Sequence, residues 1–227
     1  MKNLAGVILM AAMVSCAAKK SDKTFEIEGT VKNSGAKTVY LEEAVPGGRP
    51  VTMDSAEMKS DGSFKLKAPA KEEALYQLRA GGQLVPFALF ISDAPKVKIV
   101  ADVTNTTQPY TVEGSPASQA LINFDKATYE QGLQLFTAGS KVDSLMKAKA
   151  ADSITAAEYA KVESMAAGLK KYTQDFLQKS SSPILTLYAL SSFQNTATNL
   201  GLQGFSPPER AEIISAAAAK FPGHAGL

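Results

Sequence analysis

Between Glu113 and Pro116 the hydrophobic rhythm of this chain changes. From Thr24 to about Val112 apolar residues recur at every second position, and beyond Ser115 they recur every three or four. A period of two belongs to strands with one buried face, and a period near 3.6 belongs to helices with one buried stripe. The chain must therefore fold as α+β, a sheet region followed by a helical region.

In the first region Phe25, Ile27 and Val31 alternate with Glu26, Glu28 and Thr30. Further strands are expected over Thr38–Leu41, Val51–Met58, a run from Phe64 and Leu66, Leu75–Leu78, Pro86–Ile91, Lys96–Val103 and Tyr110–Val112. Asn33-Ser34-Gly35, Pro46-Gly47-Gly48, Ser60-Asp61-Gly62-Ser63 and Gly81-Gly82 punctuate them. Asp-Gly tolerates the positive φ angles of a tight turn, so a hairpin is expected there, and another at Gly81-Gly82. Seven or eight short strands at such spacing predict an antiparallel β-sandwich or barrel over residues 24–114.

The second region, 115–227, opens with Ser115 as helix cap and Pro116 at the first helical position, where a missing N–H costs nothing. Leu121, Phe124 and Thr128, with Ile122, Tyr129, Leu133 and Phe136 beside them, predict an inward stripe on a helix reaching about Ala150, with a bend at Gly139-Ser140. Thr155-x-x-Glu158 has the form of a capping box, followed by Tyr159, Val162, Ala166, Leu169, Thr173 and Phe176 on one side. These two helices are expected to form a long antiparallel hairpin. Ser182-Pro183 starts a third helix, to about Phe193, and Ser206-Pro207-Pro208-Glu209 a fourth, with Ile214, Ala217 and Phe221 inward.

Chemistry is scarce in this sequence. The formal charge is +2 and the lysines are scattered, which argues against a nucleic-acid partner. The lone cysteine, Cys16, permits neither a CxxC pair nor a thiolate metal site, and the lone histidine, His224, is expected to be solvated near the end of the chain. Asp54, Ser55 and Asp61 are the closest approach to a polar site, but Ser55 has no base beside it in sequence. The expectation is a chain with no catalytic residues, no metal and no cofactor.

The amino terminus carries an address. Lys2 precedes an apolar run from Leu4 to Val14, too short to span a bilayer and of the length of a signal-peptide core. It ends in Met13-Val14-Ser15-Cys16, which resembles the lipobox of bacterial lipoproteins, with Met where Leu is commonest. Residues 1–15 are thus expected to be a lipoprotein signal peptide and 16–23 a lipidated tether. Lipid on Cys16 would hold the protein to a membrane, as two or three acyl chains do firmly. The tether lacks an acidic run, so the protein is expected in the cell envelope, facing the periplasm.

Phe25-x-Ile27-x-Gly29-x-Val31, Val39-Tyr40-Leu41, Asp54-Ser55-x-x-Met58-x-x-Asp61-Gly62-x-Phe64, Leu75-Tyr76 and Val112-x-Gly114-Ser115 together resemble one family. It is the amino-terminal domain of unknown function, of the DUF4369 type, in Bacteroidetes lipoproteins. In that family a β-domain and a helical segment precede a thioredoxin-like domain of the TlpA/ResA type, with Trp-Cys-x-x-Cys. This chain has no Trp and stops just after Phe221-Pro222-Gly223-His224, about where the linker to that domain would begin. The resemblance implies a piece of a longer protein or a member lacking the redox domain, the former being expected. It further implies a non-catalytic accessory module of a thiol–disulfide oxidoreductase, placing the redox domain or binding its protein clients. A stand-alone lipoprotein that binds a peptide, a glycan or an envelope protein is the alternative.

Overall fold

The computed structural model describes residues 24–45, 47–70 and 72–227. The signal peptide, the tether and Cys16 lie outside the described residues. Eight strands come first: β1 (Thr24–Lys32), β2 (Thr38–Glu43), β3 (Val51–Glu57), β4 (Ser63–Pro69), β5 (Leu75–Ala80), β6 (Ala88–Ile91), β7 (Lys96–Asp102) and β8 (Tyr110–Glu113). Four helices follow: α1 (Pro116–Lys147), α2 (Asp152–Lys179), α3 (Pro183–Asn199) and α4 (Pro207–Lys220).

The strands form two four-stranded sheets, ordered β4-β1-β7-β8 and β3-β2-β5-β6. Their alternating inward residues make one core, with Phe25, Ile27, Leu41, Leu66, Leu78, Phe90 and Ile99 among its fully buried members. Phe25, Tyr76 and Phe90 pack ring against ring at its centre. On the outer face of the first sheet the polar alternates pair off, Lys65 and Lys96 with Glu28, Lys67 with Glu26 and Lys98 with Glu113.

Two sheet expectations need correction. The sandwich is not wholly antiparallel, because β7 runs parallel to β1, with Glu26 opposite Lys96 and Lys32 opposite Asp102. All of the second sheet is threaded between these two strands, and an alternation pattern carries no pairing direction. The Asp61-Gly62 turn does not close a two-strand ladder either, since β3 and β4 leave it into different sheets. The turn is a corner between layers. Gly62 has φ +78°, its carbonyl accepts from the Val31 N–H, and a Cβ there would lie 2.2 Å from the Val31 carbonyl oxygen.

The helical layer starts as expected at Ser115, whose side chain accepts from the Ser118 N–H. α1 then runs unbroken through Gly139 and Ser140 to Lys147. α2 begins three residues before Thr155, and Thr155-x-x-Glu158 is no capping box. Glu158 instead bridges Lys141 of α1 and Lys161, which joins the arms of the hairpin. The box that does form is Ser206 with Glu209 at the start of α4. Phe124, Leu135, Leu169, Leu177, Phe193 and Phe205 build a helical core. Tyr129, Leu133, Phe136, Tyr159 and Ile214, expected inward, are exposed. A three-to-four spacing identifies a stripe but not which side of the helix the neighbours occupy.

Candidate functional site at the sheet–helix junction

The two regions meet where β5 and β6 turn a second apolar face outward. Ile91, with Leu75 and Leu89 beside it, packs against Ala117, Leu121 and Leu185 of α1 and α3. Around this contact, acids from the sheet loops reach the amino ends of two helices. Asp93 accepts from the Ser115 hydroxyl at 2.5 Å and from the Ala117 N–H at 2.9 Å, at the start of α1. Glu73 accepts from the Ser182 hydroxyl and from the Ile184 N–H at 3.3 Å, at the start of α3. A helix amino end offers unpaired N–H groups and a partial positive charge, so each carboxylate answers both.

Ser118 completes the α1 side. Its hydroxyl accepts from the Ile91 N–H at 2.8 Å and lies 3.3 Å from the Ile91 carbonyl, so it satisfies the buried end of β6. Deeper along α1, the Tyr188 hydroxyl of α3 donates to Asp125 at 2.7 Å. Burial raises the Asp125 carboxyl above its ordinary range, opposed by that hydrogen bond. Burial and then the Asp125 charge raise the Tyr188 hydroxyl, and burial pushes Tyr110 up to about 12. Burial likewise raises Glu73, against the Ser182 and Ile184 donors.

His224 is not simply solvated. It is half-buried, its Nε2 donates to the Glu73 carbonyl at 2.9 Å, and its Nδ1 accepts from the Gly226 N–H at 3.2 Å. The Ala225 N–H donates to the Glu72 carboxylate at 3.1 Å. The tail after α4 is thus bound to the same β4–β5 connection that caps α3. Local sequence offered no signal for this, because Glu73 and Ser182 stand 109 positions apart and Glu73 and His224 stand 151 apart.

The residues weighed for chemistry do structural work and are not brought into one site. Asp54 accepts from the Ser55 N–H and, through its other oxygen, from the Lys67 N–H, tying the edge strands of the two sheets. Asp61 accepts from the Ser63 N–H in the corner turn. Among the described residues, no group of three or more His, Cys, Asp or Glu could hold a metal ion. A groove between α2, α3 and α4 encloses about 230 Å³ and borders Gln174, Leu177 and Glu209. It is smaller than ordinary small-molecule pockets of roughly 300–1,000 Å³, and Glu209 is already paired with Lys170. Hollows of about 440 Å³ beside Gly29 and Phe64 and about 710 Å³ at the tip of the α1–α2 hairpin, beside Val142 and Tyr159, are larger. The junction can hold the helical layer on the sandwich, and Asp93, Glu73 and Ser118 direct their hydrogen bonds to that contact.

Residues 25–121 match the family model described as a domain of unknown function (DUF4369). The matched stretch covers the strands from Phe25 onward and the opening of α1, and it ends at the buried junction residue Leu121. No curated protein matches the chain. Among solved structures, a crystal structure of (S)-allantoin synthase is similar at 15% identity, covering 41% of this chain and 44% of that chain with a TM-score of 0.26. A likeness that slight supports no inference about fold or function.

Proposed function

We propose that this chain, whose residues 25–121 match the DUF4369 family model, is the non-catalytic, lipid-anchored front module of an envelope thiol–disulfide oxidoreductase. It sets the place of a following thioredoxin-like domain relative to the membrane and offers a surface to that domain's protein clients. The family match carries this reading. The pinned tail supports it: Lys220 donates to the Ser180 carbonyl, and His224 and Ala225 bind Glu73 and Glu72. A domain that followed Leu227 would leave the module at a fixed point on the sheet rather than from a free helix end.

Membrane attachment in this reading falls to Cys16, since no described helix is long and apolar enough to cross a membrane. Cys16→Ala is expected to lose incorporated lipid and to leave the protein soluble or uncleaved. A processed Cys16→Ala protein that still pellets with membranes would refute the anchor.

The intact mass of the native protein from detergent-solubilised envelope tests the larger claim. A mass exceeding the 23.9 kDa of this chain by a domain of about a hundred residues or more is expected. A mass no greater than this chain plus lipid would sink the oxidoreductase reading and leave a stand-alone binding lipoprotein.

A further inference from the structure

α1 carries a second apolar stripe, on the side turned away from both sheets and the other helices. Tyr129, Leu133 and Phe136 are 72%, 54% and 62% exposed, while Phe124, Thr128, Leu135 and Val142 fill the inward side. The three belong to a longer pattern. Lys126, Tyr129, Leu133, Phe136, Ser140 and Asp143 follow one another at alternating steps of three and four, and all six are exposed. That spacing is the seam of a two-stranded coiled coil, here on a helix whose other side is already packed.

The order of residues along the seam selects the partner. In an antiparallel pair, the first and fourth positions of the heptad face each other across the two helices. Setting Leu133 against Phe136 of a second copy places Tyr129 against Ser140 and Lys126 against Asp143. Every contact then occurs twice about a two-fold axis, as a closed homodimer requires. The apolar residues meet at the centre, and an opposite-charge pair closes each end. A parallel pair would instead set Lys126 against Lys126 and Asp143 against Asp143. Among the described residues, the ion pairs within the α1–α2 hairpin are Lys141–Glu158, Lys161–Glu158 and Lys171–Asp175, which leaves Lys126 and Asp143 available.

We propose that the outer face of α1 is a homotypic interface, on which a second copy of this chain docks its own α1 antiparallel in that register. The proposal is independent of the oxidoreductase reading, because it uses only residues of α1.

Sedimentation velocity of the full chain, in detergent density-matched to the solvent, tests it with two charge reversals. Lys126→Asp alone creates two Asp–Asp contacts in the antiparallel dimer, and Asp143→Lys alone creates two Lys–Lys contacts. Each variant is expected to weaken self-association by about tenfold or more. An equimolar mixture of the two restores both opposite-charge pairs and should return dimer to within about threefold of wild type. Phe136→Ser, which removes a surface aromatic and no core contact, should also yield monomer. A wild-type chain that stays monomeric at high concentration overturns the proposal. So do single reversals that dimerise like wild type, as a parallel pair or an interface elsewhere would allow, and a mixture that stays monomeric.

Discussion

Replacing Gly29 with alanine tests how tightly the sandwich is closed around β1. Gly29 lies between the buried positions Ile27 and Val31 and faces Phe64 across the β1–β4 ladder. A Cβ there would stand 2.4 Å from Phe64 Cζ and 2.7 Å from the Ile99 carbonyl oxygen. Comfortable carbon–carbon contact is about 3.5–4.0 Å, so the ring must withdraw by more than about 1 Å. Phe64 is 4% exposed and borders, beside Gly29, a surface hollow of about 440 Å³, so the ring can withdraw only by repacking toward Ala56 and Lys59 on that side. Ile99 belongs to the β7 backbone paired with β1, and it can move only by loosening that ladder. Overpacking of this kind costs about 1–3 kcal/mol. Alanine recovers about 0.5–1 kcal/mol of backbone entropy relative to glycine. The two central values leave a net loss of about 1 kcal/mol, or a fall of about 2–4 °C in Tm for a chain of this size. Urea unfolding followed by circular dichroism reads it as a lower midpoint at unchanged slope. Combining Gly29→Ala with Phe64→Leu removes the ring contact, so the double variant should lose less than the sum of the singles by about 0.5 kcal/mol or more. A Gly29→Ala protein as stable as wild type would refute the close approach.

The same unfolding assay checks three features of the polar framework. Ser118→Ala strands the buried Ile91 N–H and should cost about 1–3 kcal/mol; no measurable loss would mean that water or another acceptor takes its place. Arg79→Met leaves the buried Glu42 carboxylate, which Arg79 and then Gln77 hold below its ordinary range, with Gln77 alone. The expected loss is about 1–3 kcal/mol, and Glu42→Gln with Arg79→Met should cost less than Arg79→Met alone; equal costs would show the pair to be uncoupled. Glu73 has a folded pKa raised by burial, so its favourable contribution is complete below its unfolded value of 4.5 and is lost as pH rises through the folded value. Glu73→Gln removes that titration while keeping an acceptor for Ile184. Its stability relative to wild type should therefore improve as pH rises from about 4 to about 7, and a difference independent of pH would contradict the assigned burial.

Much of the architecture could be read from local pattern. The alternation in β4 and β7, the caps at Ser115, Ser182 and Ser206, and the change of period at Gly114 all reflect forces acting within a few residues. The motif glycines could be seen as well, though not their reason: Gly29 makes room for Phe64, and Gly62 lies against Val31. The junction was legible only in half. Ser115 and Ser182 announced helix starts, but Asp93 and Glu73, which bind the same helix ends, come from sheet loops far away in the chain.

Sequence by itself determined the order of the two layers, the turns and the helix starts, because steric preference, capping and hydrophobic period act over one to two turns of chain. Tertiary structure alone decided that β7 runs parallel to β1, that the Asp61-Gly62 turn changes sheets, and that His224 returns to Glu73. It also decided which of the apolar residues on α1 face the core and which face outward. Each of these depends on where a distant strand or helix comes to rest. The free energy that settles it is the burial of surfaces that no short stretch of sequence holds on its own.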